Sequence, residues 1–116
     1  MYSKFAKLIN ENLAEAIDVL NSFTSSKTEI LLTDKIIKEG IKTLQNDGKI
    51  IFCGNGGSFA DAQHISAEFV SRFKFDRPAL ASCALGTNSS IISAIANDYG
   101  FDRIFERELE AISKKH

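Results

Sequence analysis

The sequence predicts an α/β fold: two N-terminal helices, a βαβ unit of a partial doubly wound parallel sheet, and then C-terminal helices. Three observations carry this. KIIFC (49–53) and ALASCAL (79–85) are short apolar runs, as expected of strands buried in a parallel sheet, and the first is rich in β-branched residues. The long segments around them repeat their apolar residues at helical spacing. Between the first run and the next helical pattern lies GNGGS, with three of the chain's seven glycines inside four residues.

Taken in order, Phe5, Leu8, Ile9, Leu13, Ala16, Ile17, Leu20 and Phe23 form one helical stripe. TSSKTE (24–29) reads as a loop. A second helix follows from about Glu29 or Thr33, with Ile36, Ile37, Ile41 and Leu44 on one face, and Asn46-Asp47-Gly48 stops it. After the first strand a third helix is expected from Ser58 to Phe73, with Ser58 and Asp61 as an N-cap pair. KFDRP ends it, because Pro78 pushes its neighbour into extended geometry. The second strand exits through GTNSS into a short helix from Ser89 to Ala96. NDYG then turns the chain into a last helix with Ile104, Phe105, Leu109 and Ile112 inward. Strand, helix, parallel strand is a crossover of right-handed preference.

Two parallel strands do not make the buried sheet their sequences call for, since such sheets need more strands and cover on both faces. Either copies of the chain associate, or part of the domain lies elsewhere. The expected organisation is one domain in part, with a helical oligomerisation segment (1–48) and a βαβ core carrying a ligand loop (49–116).

A chain of 116 residues bounds this to one domain at most, and 44% hydrophobic with 25% charged residues is ordinary for a globular protein. A formal net charge of -1 gives no reason to expect nucleic acid or membrane as the main partner. Cys53 and Cys83 lie in apolar runs and read as buried free thiols. MYSKFAKLINENL lacks the apolar stretch of a signal peptide, so the expected address is the cytoplasm.

A loop leaving a parallel strand and opening a helix is a natural anion site, because free N–H groups and the positive end of the helix dipole meet there. Glycines let a ligand approach the backbone. The motif is neither G-x-G-x-x-G nor a P-loop, so a nucleoside triphosphate is not expected. The bland alternative is a tight turn; the place at the carboxyl end of a strand favours a site. Asp61, His64 and Glu68 share one helix face. His64 and Glu68 could grip a zinc-like ion or form a base with its partner. Spacing alone favours a solvated pair, and the stripe's start at the anion loop is what favours a site. NDYG by itself reads as a turn. Phe69, Phe73, Phe101 and Phe105 read as core, and His116 at the chain end is given no catalytic role.

With CGNGGSFADAQHISAEF, RPALASCAL and AIANDYGFDRIF read in order, the chain resembles the sedoheptulose-7-phosphate isomerase (phosphoheptose isomerase) family of sugar-isomerase (SIS) domains. The resemblance spans essentially the whole chain and matches the N-terminal part of the family. It implies conversion of D-sedoheptulose 7-phosphate into D-glycero-D-manno-heptose 7-phosphate through an enediol, for bacterial heptose glycans such as lipopolysaccharide or capsule. Asn55, Gly56, Gly57 and Ser58 match the family's substrate loop, and Asn97 and Asp98 its second one. His64 and Glu68 match zinc ligands, one ion per subunit; Glu68 also matches a catalytic acid/base that touches substrate, and Asp61 a polar neighbour of that site. A homotetramer is implied. The family continues into a serine/threonine-rich phosphate loop and a helix with a glutamine and a histidine, none of which these residues contain, so the ligand set here is expected to be incomplete. Three alternatives stay open: a non-catalytic SIS-like assembly protein, in whose known relative the glutamate four after the histidine is replaced; another phosphosugar isomerase; and an inactive subunit.

Overall fold

The computed structural model describes residues 3–113, so His116 lies outside the described residues. The chain divides into two compact units, Met1–Ile41 and Lys42–His116.

The first unit holds helix α1 (Lys4–Ser25) and most of α2 (Lys27–Gln45). The expected loop at 24–29 is helical instead, and only Ser26 interrupts it. Two short bonds explain why one residue suffices. The Ser26 N–H donates to the Phe23 carbonyl at 3.1 Å, closing α1, and its hydroxyl accepts from the Glu29 N–H at 3.3 Å, opening α2. Ser3 caps the start of α1 in the same way, its hydroxyl accepting from the Ala6 N–H. Neither helix has a buried residue: the α1 stripe is open to solvent, with Leu13 and Ile17 both 57% exposed.

In the second unit α2 ends in a Schellman turn, in which the Gly48 N–H reaches back to the Thr43 carbonyl at 2.9 Å. The left-handed residue is Asp47, at φ 57°, while Gly48 is required because a Cβ there would lie 2.6 Å from the Thr43 side chain. Strand β1 (Ile50–Phe52) pairs in parallel with β2 (Ser82–Ala84), in the register Ile50 with Ser82 and Phe52 with Ala84. Helix α3 (Gly57–Val70) connects them. Helix α4 (Ser89–Tyr99), a 3₁₀ turn at Phe101–Arg103 and α5 (Ile104–Ile112) complete the described residues. The order of elements is the expected one, and the strands are the predicted runs trimmed to their paired residues.

The core is small. Ala62 of α3, Ala84 and Leu85 of β2, and Ile104 of α5 are buried, and Ser66 is buried with its hydroxyl 3.3 Å from that of Ser82. Phe69 packs on Phe52, ring centroids 5.8 Å apart. Several residues expected inside are not. Phe73 (67% exposed) follows the end of α3, which stops at Val70, three residues short of the expected Phe73. Phe101, Leu109 and Ile112 also face solvent, and Cys53 is exposed while Cys83 is half-buried. The physical reason is common to all: with two strands and three short helices there is little apolar surface to cover them, and β1 itself is only half-buried.

Candidate active site

The carboxyl ends of β1 and β2 lie side by side, and both give way to glycine-containing loops. The three glycines after β1 divide the work. At Gly54 a Cβ would strike the backbone and Cβ of Ser58 at 2.5–2.6 Å, so this glycine lets the first turn of α3 lie against the strand end. Gly56 precedes α3 at φ 58°, ψ -121°, a conformation that glycine alone adopts readily. Around Gly57 nothing stands within 4 Å of the Cβ position. The Ser58, Phe59 and Ala60 N–H groups bond the carbonyls of Asn55 and Gly56, leaving those of Gly56 and Gly57 without a backbone partner among the described residues. Both donors belong to the positive end of α3, where no acidic residue sits in the first turn and the Cβ positions of Gly56 and Gly57 are open.

The expected cap pair is not formed. Ser58 lies inside the first turn, Gly56 holds the cap position without a side-chain bond, and Asp61 is exposed. Ser58 is exposed too, and so remains available beside the loop.

One and two turns further along α3, His64 and Glu68 meet. His64 Nε2 is 3.5 Å from Glu68 Oε1; the imidazole is 76% exposed and the carboxylate 35% exposed. Opposite them Ala62 and Ser66 pack into the core, so the buried face of the helix fixes the direction of the stripe. An imidazole and a carboxylate one turn apart, open to solvent and already converged, are side chains of the type that could share a cation. Among the described residues no third His, Cys, Asp or Glu joins them.

A hollow of about 110 Å³ opens beneath the loop, between the backbone of Gly54–Gly56 and an apolar wall of Phe59, Ile92, Phe101 and Phe105. Gly86 closes its floor at φ 87°, where a Cβ would press on the Phe59 ring at 3.3 Å. Asn97 and Asp98 do not line this hollow. They form the last turn of α4 rather than a loop, are exposed, and bond each other through Asn97 Nδ2 and Asp98 Oδ1 at 2.8 Å. Gly100, at φ 101°, is the residue that turns the chain. What the turn delivers to the hollow is Phe101.

Two further residues, not singled out by the sequence, hold this region. Glu108 of α5 accepts the Gly86 N–H at 2.7 Å, tying the exit of β2 to the last helix. Arg77 donates to three carbonyls: Glu68 at 2.7 Å, Phe69 at 2.8 Å and Pro78 at 3.1 Å. An arginine shortly after a helix end is a sequence signal for carbonyl capping. Glu108 has no comparable signal, because its partner is 22 residues away.

The model for the SIS domain matches residues 11–115. The chain belongs to the SIS domain family. Within that family it is 46% identical over 103 residues to a phosphoheptose isomerase of Aneurinibacillus thermoaerophilus, covering 89% of this chain and 52% of the relative. To one from Aliarcobacter butzleri it is 50% identical over 82 residues, 71% of this chain and 43% of the relative. The phosphoheptose isomerase structure of Neisseria gonorrhoeae superposes with a TM-score of 0.82 at 36% identity, covering 96% of this chain and 56% of that one. That of Francisella tularensis does so with a TM-score of 0.86 at 28% identity, covering 97% and 58%. This SIS chain thus spans about half the length of the curated relatives it matches, 52% of the first. The two-stranded sheet is accordingly a partial SIS sheet.

Proposed function

We propose that this SIS chain carries the substrate loop and part of the metal site of a phosphoheptose isomerase, which interconverts D-sedoheptulose 7-phosphate and D-glycero-D-manno-heptose 7-phosphate. The observation that carries the reading is the pairing of His64 with Glu68 on a helix that rises from the open Gly56–Gly57 donors. The names of the relatives and of the superposed structures support it. We assign the protein to the cytoplasm, where phosphorylated sugars are made and kept, and expect no nucleic-acid partner; no helix among the described residues is long and apolar enough to cross a membrane.

The chemistry follows from the substrate. A proton on C1 of the ketose is only weakly acidic, so a base must lie within hydrogen-bond reach and the developing enediol oxygens need stabilisation. Glu68 takes the C1 proton and returns one to C2, while O1–H loses its proton and O2 gains one; one C–H bond breaks, one forms, and no external oxidant is required. The Gly56 and Gly57 N–H groups, with Asn55 and Ser58, hold an anionic or hydroxyl end of the sugar in register with that carboxylate. Asn97 and Asp98 contact the substrate from the end of α4. His64 and Glu68 would hold a zinc ion together with ligands from outside the described residues, since two are too few for a closed tetrahedral site. When bound, the ion acts as a Lewis acid on the sugar oxygens. Asp61, exposed on the same face, is the polar neighbour of the pair.

In the full-length protein Glu68→Gln should cut isomerisation by about 10²–10⁴-fold with substrate binding largely kept. His64→Ala should lose zinc, measured by metal analysis, and activity with it. Near-normal turnover by Glu68→Gln removes that residue from the mechanism. Residues 1–116 alone should bind zinc poorly and turn over slowly or not at all; if the full-length protein also fails to isomerise the heptose phosphate, the non-catalytic alternative takes over.

A further inference from the structure

We propose that Arg77 is the positioning residue for Glu68, acting through the backbone of the last turn of α3. The inference rests on the role given to Glu68 above.

Glu68 sits two residues from the end of α3, in the turn whose carbonyls have no intrahelical donor. The partners of those carbonyls can be followed one by one. The Ala67 carbonyl is taken by the Ser71 N–H at 2.8 Å, and that of Phe69 by the Leu80 N–H at 3.1 Å. The carbonyl of Glu68 itself is held by Arg77 Nη2 at 2.7 Å, while Nη1 of the same guanidinium takes Phe69 and Pro78. One planar fork thus fixes two successive peptides of the helix end and the start of the segment leading to β2. Arg77 precedes the only proline in the chain, so its own backbone is restricted and the fork is held at a fixed origin. A cation at a helix C-terminus is also favoured by the dipole.

Arg77 does not line the hollow. Its effect on chemistry is therefore indirect: without the fork the last turn frays, the Glu68 backbone leaves helical geometry, and the carboxylate swings away from His64. Lysine cannot substitute, because a single ammonium on a flexible stem does not hold three carbonyls in one plane.

The test compares wild type, Arg77→Ala and Arg77→Lys in the full-length protein. For Arg77→Ala we expect kcat to fall roughly tenfold to a hundredfold, as for a small misplacement of a reacting group. KM should stay within about threefold, because the substrate loop at the other end of α3 is untouched. Hydrogen exchange of the amides at 69–72 should quicken while that of α4 does not, a readout independent of activity. Guanidinium ion at non-denaturing concentration should restore part of kcat to Arg77→Ala. Arg77→Lys keeps the charge, serves if Arg77→Ala does not fold, and should be about tenfold impaired without rescue. Full kcat in both variants beside an inactive Glu68→Gln overturns the proposal alone. Unchanged exchange at 69–72, or loss spread evenly over kcat, KM and all helices, overturns it as well. An active Glu68→Gln removes the reading of Glu68 and this proposal with it.

Discussion

Gly54, Gly56 and Gly57 look equivalent in the sequence and have three different duties in the structure. Their substitutions should separate accordingly. Gly54→Ala forces a Cβ into the Ser58 backbone and should destabilise by about 1–3 kcal/mol, the usual range for overpacking. Gly56→Ala meets open space but must hold a φ of 58°, and should cost about 1–3 kcal/mol through backbone strain. Gly57→Ala meets neither obstacle and should leave stability within about 0.5 kcal/mol. Urea denaturation of the three variants checks the order. Gly56→Val should in addition abolish the amide shifts that a sugar phosphate produces at residues 55–58; if the wild-type amides stay still on titration, the loop is only a turn. That the tetrad was special could be read from the sequence. Which glycine packs and which opens could not, since the clash at Gly54 exists only once α3 lies against β1.

Local capping decides where the elements end. In the sequence Asn88 belongs to the exit loop GTNSS, yet in the structure its Oδ1 accepts from the Ser90 and Ile91 N–H groups at 3.0 and 3.2 Å and starts α4. Asn88→Ala should therefore cost about 1 kcal/mol, visible as a lower urea midpoint with unchanged slope. Ser26 and NDYG show the converse. A cluster of serine and threonine at 24–26 looks like a loop, but Thr24 bonds back to the Asn21 carbonyl at 3.1 Å and only one residue breaks the helix. Asn97 and Asp98 have turn chemistry, but helix α4 already runs through them and Gly100 alone makes the turn. Turn-forming residues next to a strong helical stripe are absorbed into the helix, because each added turn gains a backbone bond while the stop waits for a residue able to take positive φ.

At the scale of the molecule the apolar stripes of α1 and α2 are without cover among the described residues. Phe5, Leu8, Ile9, Leu13, Ile17 and Leu20 are each more than half exposed. An apolar face of that length in a chain of this size is expected to pack against another copy, and the tetramer implied by the resemblance supplies such a partner. Light scattering on the full-length protein should return a homo-oligomer at micromolar concentration. Leu13→Asp with Ile17→Asp should shift it to a smaller species, and a well-folded wild-type monomer would sink this expectation.

Local features were legible in the residues alone: the helical stripes, the two strand runs, the order of elements, the glycine loop after β1 and the facing of His64 with Glu68. Each of these depends on spacings of a few residues along one element, and the motif order was enough to point to the family before any contact was known. The tertiary structure decided what depends on distant residues meeting. It set Phe101 rather than Asn97 at the hollow, exposed Phe73, Leu109 and Ile112, joined Glu108 to Gly86, and put the Arg77 fork on the carbonyl of Glu68. An apolar residue is buried only if another surface arrives to cover it, and a guanidinium chooses its carbonyls only after the chain has turned back past the helix end.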